Sequence, residues 1–471
     1  MNANAADVTV PPAEPVAAFA QPIAPNERID ALDYARGFAL FGIILMNVEW
    51  FERPIAGLLN GIDGGYTGWH LWVDRAIEWL IQGKFYPLFS LLFGMGFAVM
   101  LQRGEERSGA SGFTAIYLRR LLALLAFGFI HGVLFYPGDI LHAYAFAGFG
   151  LMIGYGIALA IGKLRGGRRL HSRWLLIIPL VWLLVLPVGG NIWFIAEQTW
   201  FPPPPPPVAV VKAETKPAAA ADASKSDAAK PAVEKEKTRE ERRAEWRAQG
   251  QKAYDDARKI YQTGSFVEVT KLRYSELMRQ ASLFPHFGDQ VLMLFILGSW
   301  FVFSGVLRDI RGNLPLFRKL AGYGLGLGLP LAAIPELIGL LDDESVPIVM
   351  WGVYGIASES AHLLLSVGYF ALMVLVSQSS LWSRRLDFLP DLGRMALTNY
   401  ILQSAIFSII FANYGLGLHG HLQRGWQVLL ALAVIGAQVL FSRWWMSRYR
   451  FGPLEWLWRA LTYLRAPPML R

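Results

Sequence analysis

The sequence predicts an all-α polytopic membrane protein with about ten transmembrane helices, both termini in the cytoplasm and one large periplasmic insert. Three observations predict it. Of 471 residues, 54% are hydrophobic, 13% aromatic and only 17% charged, with a mean hydropathy of +0.35, whereas soluble domains carry about a quarter charged residues. Ten stretches approach the roughly 20 apolar residues a helix needs to cross a bilayer core, where no water satisfies an open backbone. Lysine and arginine also alternate by loop. With the N-terminus inside, 24 of the 44 fall in cytoplasmic segments and only four, Arg53, Arg75, Lys84 and Arg424, in short outer ones. The other 16 lie in one long loop, and long loops translocate largely regardless of charge. A missed or extra span would scatter the basic loops over both sides, so the pattern also supports an even count.

Residues 1–27, rich in alanine and proline with no cationic start before an apolar run, read as a disordered tail rather than a signal peptide. The N-terminal bundle, 28–196, holds spans at about 32–51, 85–101, 115–136, 139–162 and 174–196. Between the first two, Trp69, Trp72, Val73, Ala76, Ile77 and Leu80 share one helical face against Asp74, Arg75 and Glu78, which predicts an amphipathic helix on the outer surface. Residues 197–285 form the periplasmic insert. Its prolines, Pro202 to Pro207, make a stiff spacer, and a charged helical pattern from Glu234 to about Tyr261 makes a surface helix. The C-terminal bundle, 286–442, adds 287–307, 320–341, 359–377, 395–413 and 426–442. Glycines and prolines in 320–341 fit a broken or re-entrant helix as well as a span. With no preceding strand, Gly322, Gly324, Gly326 and Gly328 point to close helix packing rather than phosphate binding. The tail, 443–471, alternates arginine with tryptophan, breaks at Gly452-Pro453 and reads as an amphipathic helix adsorbed on the cytoplasmic leaflet.

The absence of cysteine excludes disulfides, a thiolate nucleophile and cysteine metal sites. A formal charge of +8 would point to nucleic acid if the basic residues formed one patch; scattered between apolar runs, they predict a lipid bilayer instead and no nucleic-acid partner. No metal is expected, since His419 and His421 have no carboxylate nearby. A charge at mid-membrane costs roughly 2.5 to 3.5 kcal/mol even on the lenient insertion scale, so embedded ionisable groups are the functional candidates.

They fall in two layers. The outer layer centres on the turn from Phe129 to His142, where Asp139 lies one helical turn from His142 and His131 can face the pair across a tight hairpin. A carboxylate beside an imidazole fixes its tautomer and raises its basicity, as a general base requires. The competing reading is that Asp139 caps a helix while the histidines bond to backbone or water. Asn47, Glu49, Lys84, Glu359, His362 and Asn413 fall at comparable depth. The inner layer holds Asp33 and Arg36 with Arg119, Arg120, Arg308 and Arg394. Arginines there mark topology and snorkelling, and also suit binding of a nucleotide-like phosphate.

At these residues the chain resembles the YeiB family of bacterial inner-membrane proteins. The matching segments are Leu32-Asp-Tyr-Ala-Arg-Gly-Phe-Ala-Leu-Phe-Gly-Ile43, Lys84-Phe-Tyr-Pro-Leu-Phe-Ser-Leu-Leu-Phe-Gly-Met-Gly96, Phe129-Ile-His-Gly with Gly138-Asp-Ile-Leu-His-Ala-Tyr144, Gly393-Arg-Met-Ala-Leu-Thr-Asn-Tyr-Ile-Leu-Gln403 and Gly452-Pro-Leu-Glu-Trp-Leu-Trp-Arg459. They run in order along nearly the whole chain; the N-terminal tail and the proline-rich insert lie outside. The family is distantly similar to transmembrane acyltransferases, which include heparan-alpha-glucosaminide N-acetyltransferase and the bacterial type-three O-acyltransferases. That resemblance implies a multi-span bundle moving an acyl group from cytoplasmic acyl-CoA to an acceptor across the membrane. One departure matters. Type-three enzymes carry an arginine followed, after ten intervening residues, by a catalytic histidine; here Arg36 is followed at that spacing by Asn47, whose amide is no general base.

The expectation is therefore an acyl-CoA-dependent transferase of the inner membrane. Arginines including Arg36 and Arg394 would hold the CoA phosphates. His131 or His142, oriented by Asp139, would deprotonate a hydroxyl or amine acceptor at the outer face. Asn47 and Asn399 would hydrogen-bond the developing oxyanion, with Lys84 also binding substrate. The alternative is a transporter or exporter of a small solute or metabolite, which a broken glycine-rich span and two polar layers suit as well. A third is a membrane scaffold whose insert recruits a periplasmic partner. The sequence leaves the oligomeric state open.

Overall fold

The computed structural model describes residues 29–200 and 239–471, apart from 60–61, 63, 109, 165–171, 283 and 342–345. The expected tail, 1–27, and the prolines from Pro202 to Pro207 lie outside the described residues.

Among the described residues the chain is helical with no named strand, and it forms a polytopic bundle. The first span, α1 (Asp30–Asn47), begins with Asp30 and Asp33, whose charges suit the positive end of the helix dipole. It sits at the centre. Small residues let neighbours approach it: a side chain at Gly37 would strike the Leu389 carbonyl, and one at Gly42 the Phe85 ring. Two short helices, α2 (Glu49–Glu52) and α3 (Ile55–Leu59), turn the chain into the amphipathic α4 (Trp69–Leu80), where Trp69, Trp72 and Trp79 are exposed as expected of a surface helix. Three spans follow, α5 (Phe85–Ser108), α6 (Ala110–Leu134) and α7 (Leu141–Leu164). The next is α8 (Trp174–Leu180) continued by α9 (Leu186–Trp200), with a single π turn at Val181–Val185 between them. Pro179 and Pro187, which cannot donate a backbone hydrogen bond, bracket that turn.

The insert is more than a linker. Its described part folds as two helices, α10 (Arg239–Thr263) and α11 (Phe266–Ser282), joined at Gly264 and Ser265, and α11 docks on α6. Glu268 accepts from the backbone nitrogen and hydroxyl of Ser265, both at 2.8 Å, and closes a capping box at the start of α11. Then come α12 (Phe284–Phe303), α13 (Leu314–Ile338), α14 (Ile348–Gln378), the short α15 (Trp382–Arg385) and α16 (Phe388–Arg394), α17 (Ala396–Phe411), α18 (Arg424–Arg448) and α19 (Pro453–Tyr463).

Among the described residues, eight helices are long and apolar enough to cross a membrane, or nine if the bent pair α16–α17 counts as one span; Gly288–Phe303 within α12 is a shorter apolar helix. All ten expected segments are thus apolar helices, two of them departing from a full straight span. Others differ in shape. Residues 320–341 lie largely in a continuous α13 rather than a broken one, because Gly324 and Gly328 face α14 so closely that added side chains would meet Gly368 and Leu365. By contrast α17 leaves α16 at 82°. The tail helix α19 packs on α6, buries Trp458 and sends the Trp458 indole N–H to the Arg120 carbonyl at 2.9 Å.

A buried charge clamp closes the end of the bundle where α1 finishes. Arg424, 1% exposed, donates from Nε to Asp74 at 3.0 Å and from Nη1 to Gln427 at 3.2 Å, with Nη2 at 3.4 Å from Glu49. One guanidinium so joins α2, α4 and α18.

Candidate functional site

His131 sits one turn before the end of α6, and the Pro137-Gly138 turn brings Asp139 back against it. Asp139 Oδ1 is 2.8 Å from His131 Nδ1; Oδ2 accepts the backbone N–H of His142 at 2.9 Å and lies 3.1 Å from His142 Nδ1. The two sequence readings of Asp139 therefore hold at once: it satisfies an orphan N–H in the first turn of α7 and it orients two imidazoles. A glycine makes the approach possible, since a side chain at Gly128 would lie 2.7 Å from Asp139 Oδ2 and against the His142 nitrogen. Burial by itself would raise the Asp139 carboxyl, but the hydrogen bonds from His131 and His142 outweigh it and lower the group to about 2. As a carboxylate it only accepts, so both Nδ1 atoms carry protons toward it and each ring turns its Nε2 away from Asp139. His131 Nε2 is buried and has no hydrogen-bond partner among the described residues. Its ring lies 4.8 Å from that of Tyr400.

Tyr400 also forms the roof of the main cavity, which has a volume of about 270 Å³. Ile140, Leu141 and Tyr144, flanking Asp139 and His142 in the chain, line the same roof. Below it the walls are apolar, with Phe89, Leu92, Phe93, Phe97, Leu124 and Phe295. At the other end are six arginines, Arg36, Arg103, Arg120, Arg394, Arg450 and Arg459. On α1 the lining runs from Ile29 to Ile43, about 20 Å at roughly 1.5 Å per residue. We call the two ends the histidine end and the arginine end. Asp33 holds Arg36 at 2.9 Å and Arg394 at 3.5 Å, while Arg120 stacks 3.6 Å from the Trp458 ring centre. Glu455 accepts from the Leu397 and Thr398 nitrogens at 2.7 and 3.0 Å and so caps α17 from another helix. With the acids of the rim engaged, the mouth is strongly cationic.

The residues expected to bind substrate divide. Arg36 and Arg394 line the cavity; Asn47, Lys84 and Asn399 do not. Asn399 is fully buried and donates to Ser442 at 3.0 Å and the Leu392 carbonyl at 3.3 Å, so it ties α17 to α18 and α16 instead of facing a reacting carbonyl. Lys84 donates to the Glu78 carbonyl at 2.6 Å, and Asn47 is buried at the last residue of α1. Nor is the histidine end open where α6 ends: α11 covers it, with Leu277 against Gly132 and Arg273 donating to the terminal Leu134 carbonyl of α6 at 2.6 Å. Among the described residues no group of three or more His, Cys, Asp or Glu is placed to hold a metal ion. Tyr400, Trp458 and Arg459 were not singled out by chemistry, because aromatic residues in apolar runs look like core. The signal was present in the motifs, since Gly393–Gln403 and Gly452–Arg459 both contribute walls.

Residues 301–465 match the family described as Protein of unknown function (DUF418). The chain is 28% identical over 456 residues to the uncharacterized protein YxaH of Bacillus subtilis (strain 168), covering 96% of this chain and 98% of that one. It is 28% identical over 460 residues to the uncharacterized protein YeiB of Escherichia coli (strain K12), covering 94% and 98%. An uncharacterized 39.9 kDa protein from the amylase 3' region of Bacillus acidopullulyticus is 27% identical over 457 residues, covering 95% and 98%. No solved structure matches the chain. The motifs and these full-length matches agree: the chain is similar along most of its length to YeiB and YxaH, and the region matching DUF418, 301–465, contributes Arg394, Arg450 and Arg459 to the arginine end and Tyr400 to the roof of the cavity.

Proposed function

We propose that the protein transfers an acyl group from acyl-CoA to a hydroxyl or amine acceptor. One observation carries this reading: a deeply buried imidazole, tautomer set by a carboxylate and Nε2 unpartnered, lies one aromatic ring away from a shaft that is cationic at its mouth and apolar along its length. A CoA thioester matches that shaft. Its phosphates suit guanidinium forks, and its acyl chain suits the phenylalanine walls. The count of lysines and arginines by loop supports an orientation with the arginine end and both termini on the cytoplasmic side and α10–α11 in the periplasm.

In the reaction, the acceptor's oxygen or nitrogen attacks the thioester carbonyl while its proton passes to His131 Nε2. The C–S bond then breaks, the CoA thiolate takes the proton, and an ester or amide leaves. Asp139 holds the imidazole in the accepting tautomer and stabilises the imidazolium formed in the step. The α11 cover keeps water from the histidine pair, which limits hydrolysis of the thioester. Lacking cysteine, the protein adds no background to a thiol-release assay. His131→Ala should abolish acceptor-dependent release of CoA thiol while the melting temperature stays near that of the parent. Full activity in that variant would remove His131 as the base.

A further inference from the structure

A second cavity, of about 240 Å³, lies behind the first, lined by residues of α5, the π turn Val181–Val185, α9, α12 and α14. Tyr86 lines it, and the Tyr86 carbonyl accepts from the hydroxyl of Tyr144 at 3.0 Å, which lines the main cavity; the two spaces are back to back. Besides Tyr86, three titratable groups face it, Asp289, Glu359 and His362. Glu359 lies within a membrane-spanning helix, and no described side chain pairs with it. Asp289 is held by the indole N–H of Trp182 at 3.0 Å. Trp182 belongs to the π turn Val181–Val185, the irregular segment between Pro179 and Pro187, and a π turn inside a span shifts a side chain out of the regular helical register. The other walls are apolar: Leu183, Leu186, Leu294 and Leu363.

The cavity opens sideways. Trp182 and Leu186 are 41% and 52% exposed although they belong to a spanning segment, so that side meets the acyl region of the bilayer rather than water. Carboxylates facing such a space are costly unless a cation neutralises them, and intramembrane acids of this kind mark ligand or ion pathways. Their partner must reach them through lipid. From this geometry we infer that the second cavity binds an amphiphilic organic cation, a protonated primary amine on an apolar body, whose ammonium lies between Asp289 and Glu359 and over the faces of Trp182 and Tyr86. The site stands whether or not the protein transfers acyl groups.

The test uses the full chain in lipid nanodiscs with dodecylammonium as probe and dodecanol as its uncharged counterpart, each corrected for partition into empty nanodiscs. Dodecylammonium should bind saturably and at least tenfold more tightly than dodecanol. Glu359→Gln should weaken it at least tenfold, and Glu359→Asp should retain most of the affinity. Leu363→Trp, which fills the space without touching a charge, should abolish saturable binding at an unchanged melting temperature; it also decides the matter if Glu359→Gln does not fold. Equal affinity for amine and alcohol, partition alone, or unchanged binding in Leu363→Trp would overturn the assignment.

Discussion

Gly128 decides how near the two halves of the histidine hairpin can come. Nothing larger than hydrogen fits there, because Asp139 and the backbone of His142 occupy the place of a β-carbon. Gly128→Ala should therefore push the start of α7 away from α6, cost about 1–3 kcal/mol as overpacked positions do, and lower the melting temperature. Gly154, with nothing within 4 Å of an added β-carbon, is the internal control, and Gly154→Ala should melt with the parent. At this scale the sequence was informative where chemistry is local. His131, Asp139 and His142 share one short hairpin, so their meeting could be read from spacing alone. Asn47, Asn399 and Lys84 could not be read this way. Depth along a span says nothing of which face of the helix a side chain takes, and Asn399 turned to Ser442 on α18.

The elements are held by a few polar clamps whose partners lie hundreds of residues apart. Arg424 reaches Asp74 across 350 residues, and truncating it strands the Asp74 carboxylate among buried groups while Glu49 keeps Arg53. Arg424→Ala should cost about 3–5 kcal/mol, the usual penalty for leaving buried charge unpaired, and release α4 from α18; a variant melting within a degree of the parent would contradict the clamp. The α10–α11 hairpin carries a pH signature of its own. Burial raises the Glu276 carboxyl from 4.5 to about 7, only partly opposed by Arg279 and by its hydrogen bond to Tyr261. The fold favours its neutral form, so that stability is fully present below pH 4.5 and lost as pH rises through 7. The loss amounts to about 3 kcal/mol at most. Amide exchange in α11 should accelerate between pH 5 and 8 relative to a Glu276→Gln protein, and the two should converge near pH 4. Periodicity alone revealed that α10 is a charged helix; its docking on α6 depends on tertiary contacts that no local pattern encodes.

For the molecule as a whole, the span positions were legible because a bilayer demands long apolar helices whatever their packing. The bend between α16 and α17 and the inward course of α19 were not. Both come from side chains that find partners in the bundle, Glu455 at the N-terminus of α17 and Trp458 at the Arg120 carbonyl. Those same two features build the cavity, since straightening α17 or undocking α19 from α6 would remove Arg394, Tyr400, Trp458 and Arg459 from its walls. The central claim is that this cavity holds a phosphate-bearing amphiphile with its apolar part directed toward His131. It is tested most directly by melting the purified chain against increasing palmitoyl-CoA, where ligand at 100 times its dissociation constant adds about 2.7 kcal/mol to the folded state. The account predicts a saturable rise of a few degrees, smaller with CoA alone and largely lost when Arg36 and Arg394 are both replaced by alanine. An unshifted melting temperature at saturating palmitoyl-CoA, or an equal rise in the doubly substituted protein, would contradict it.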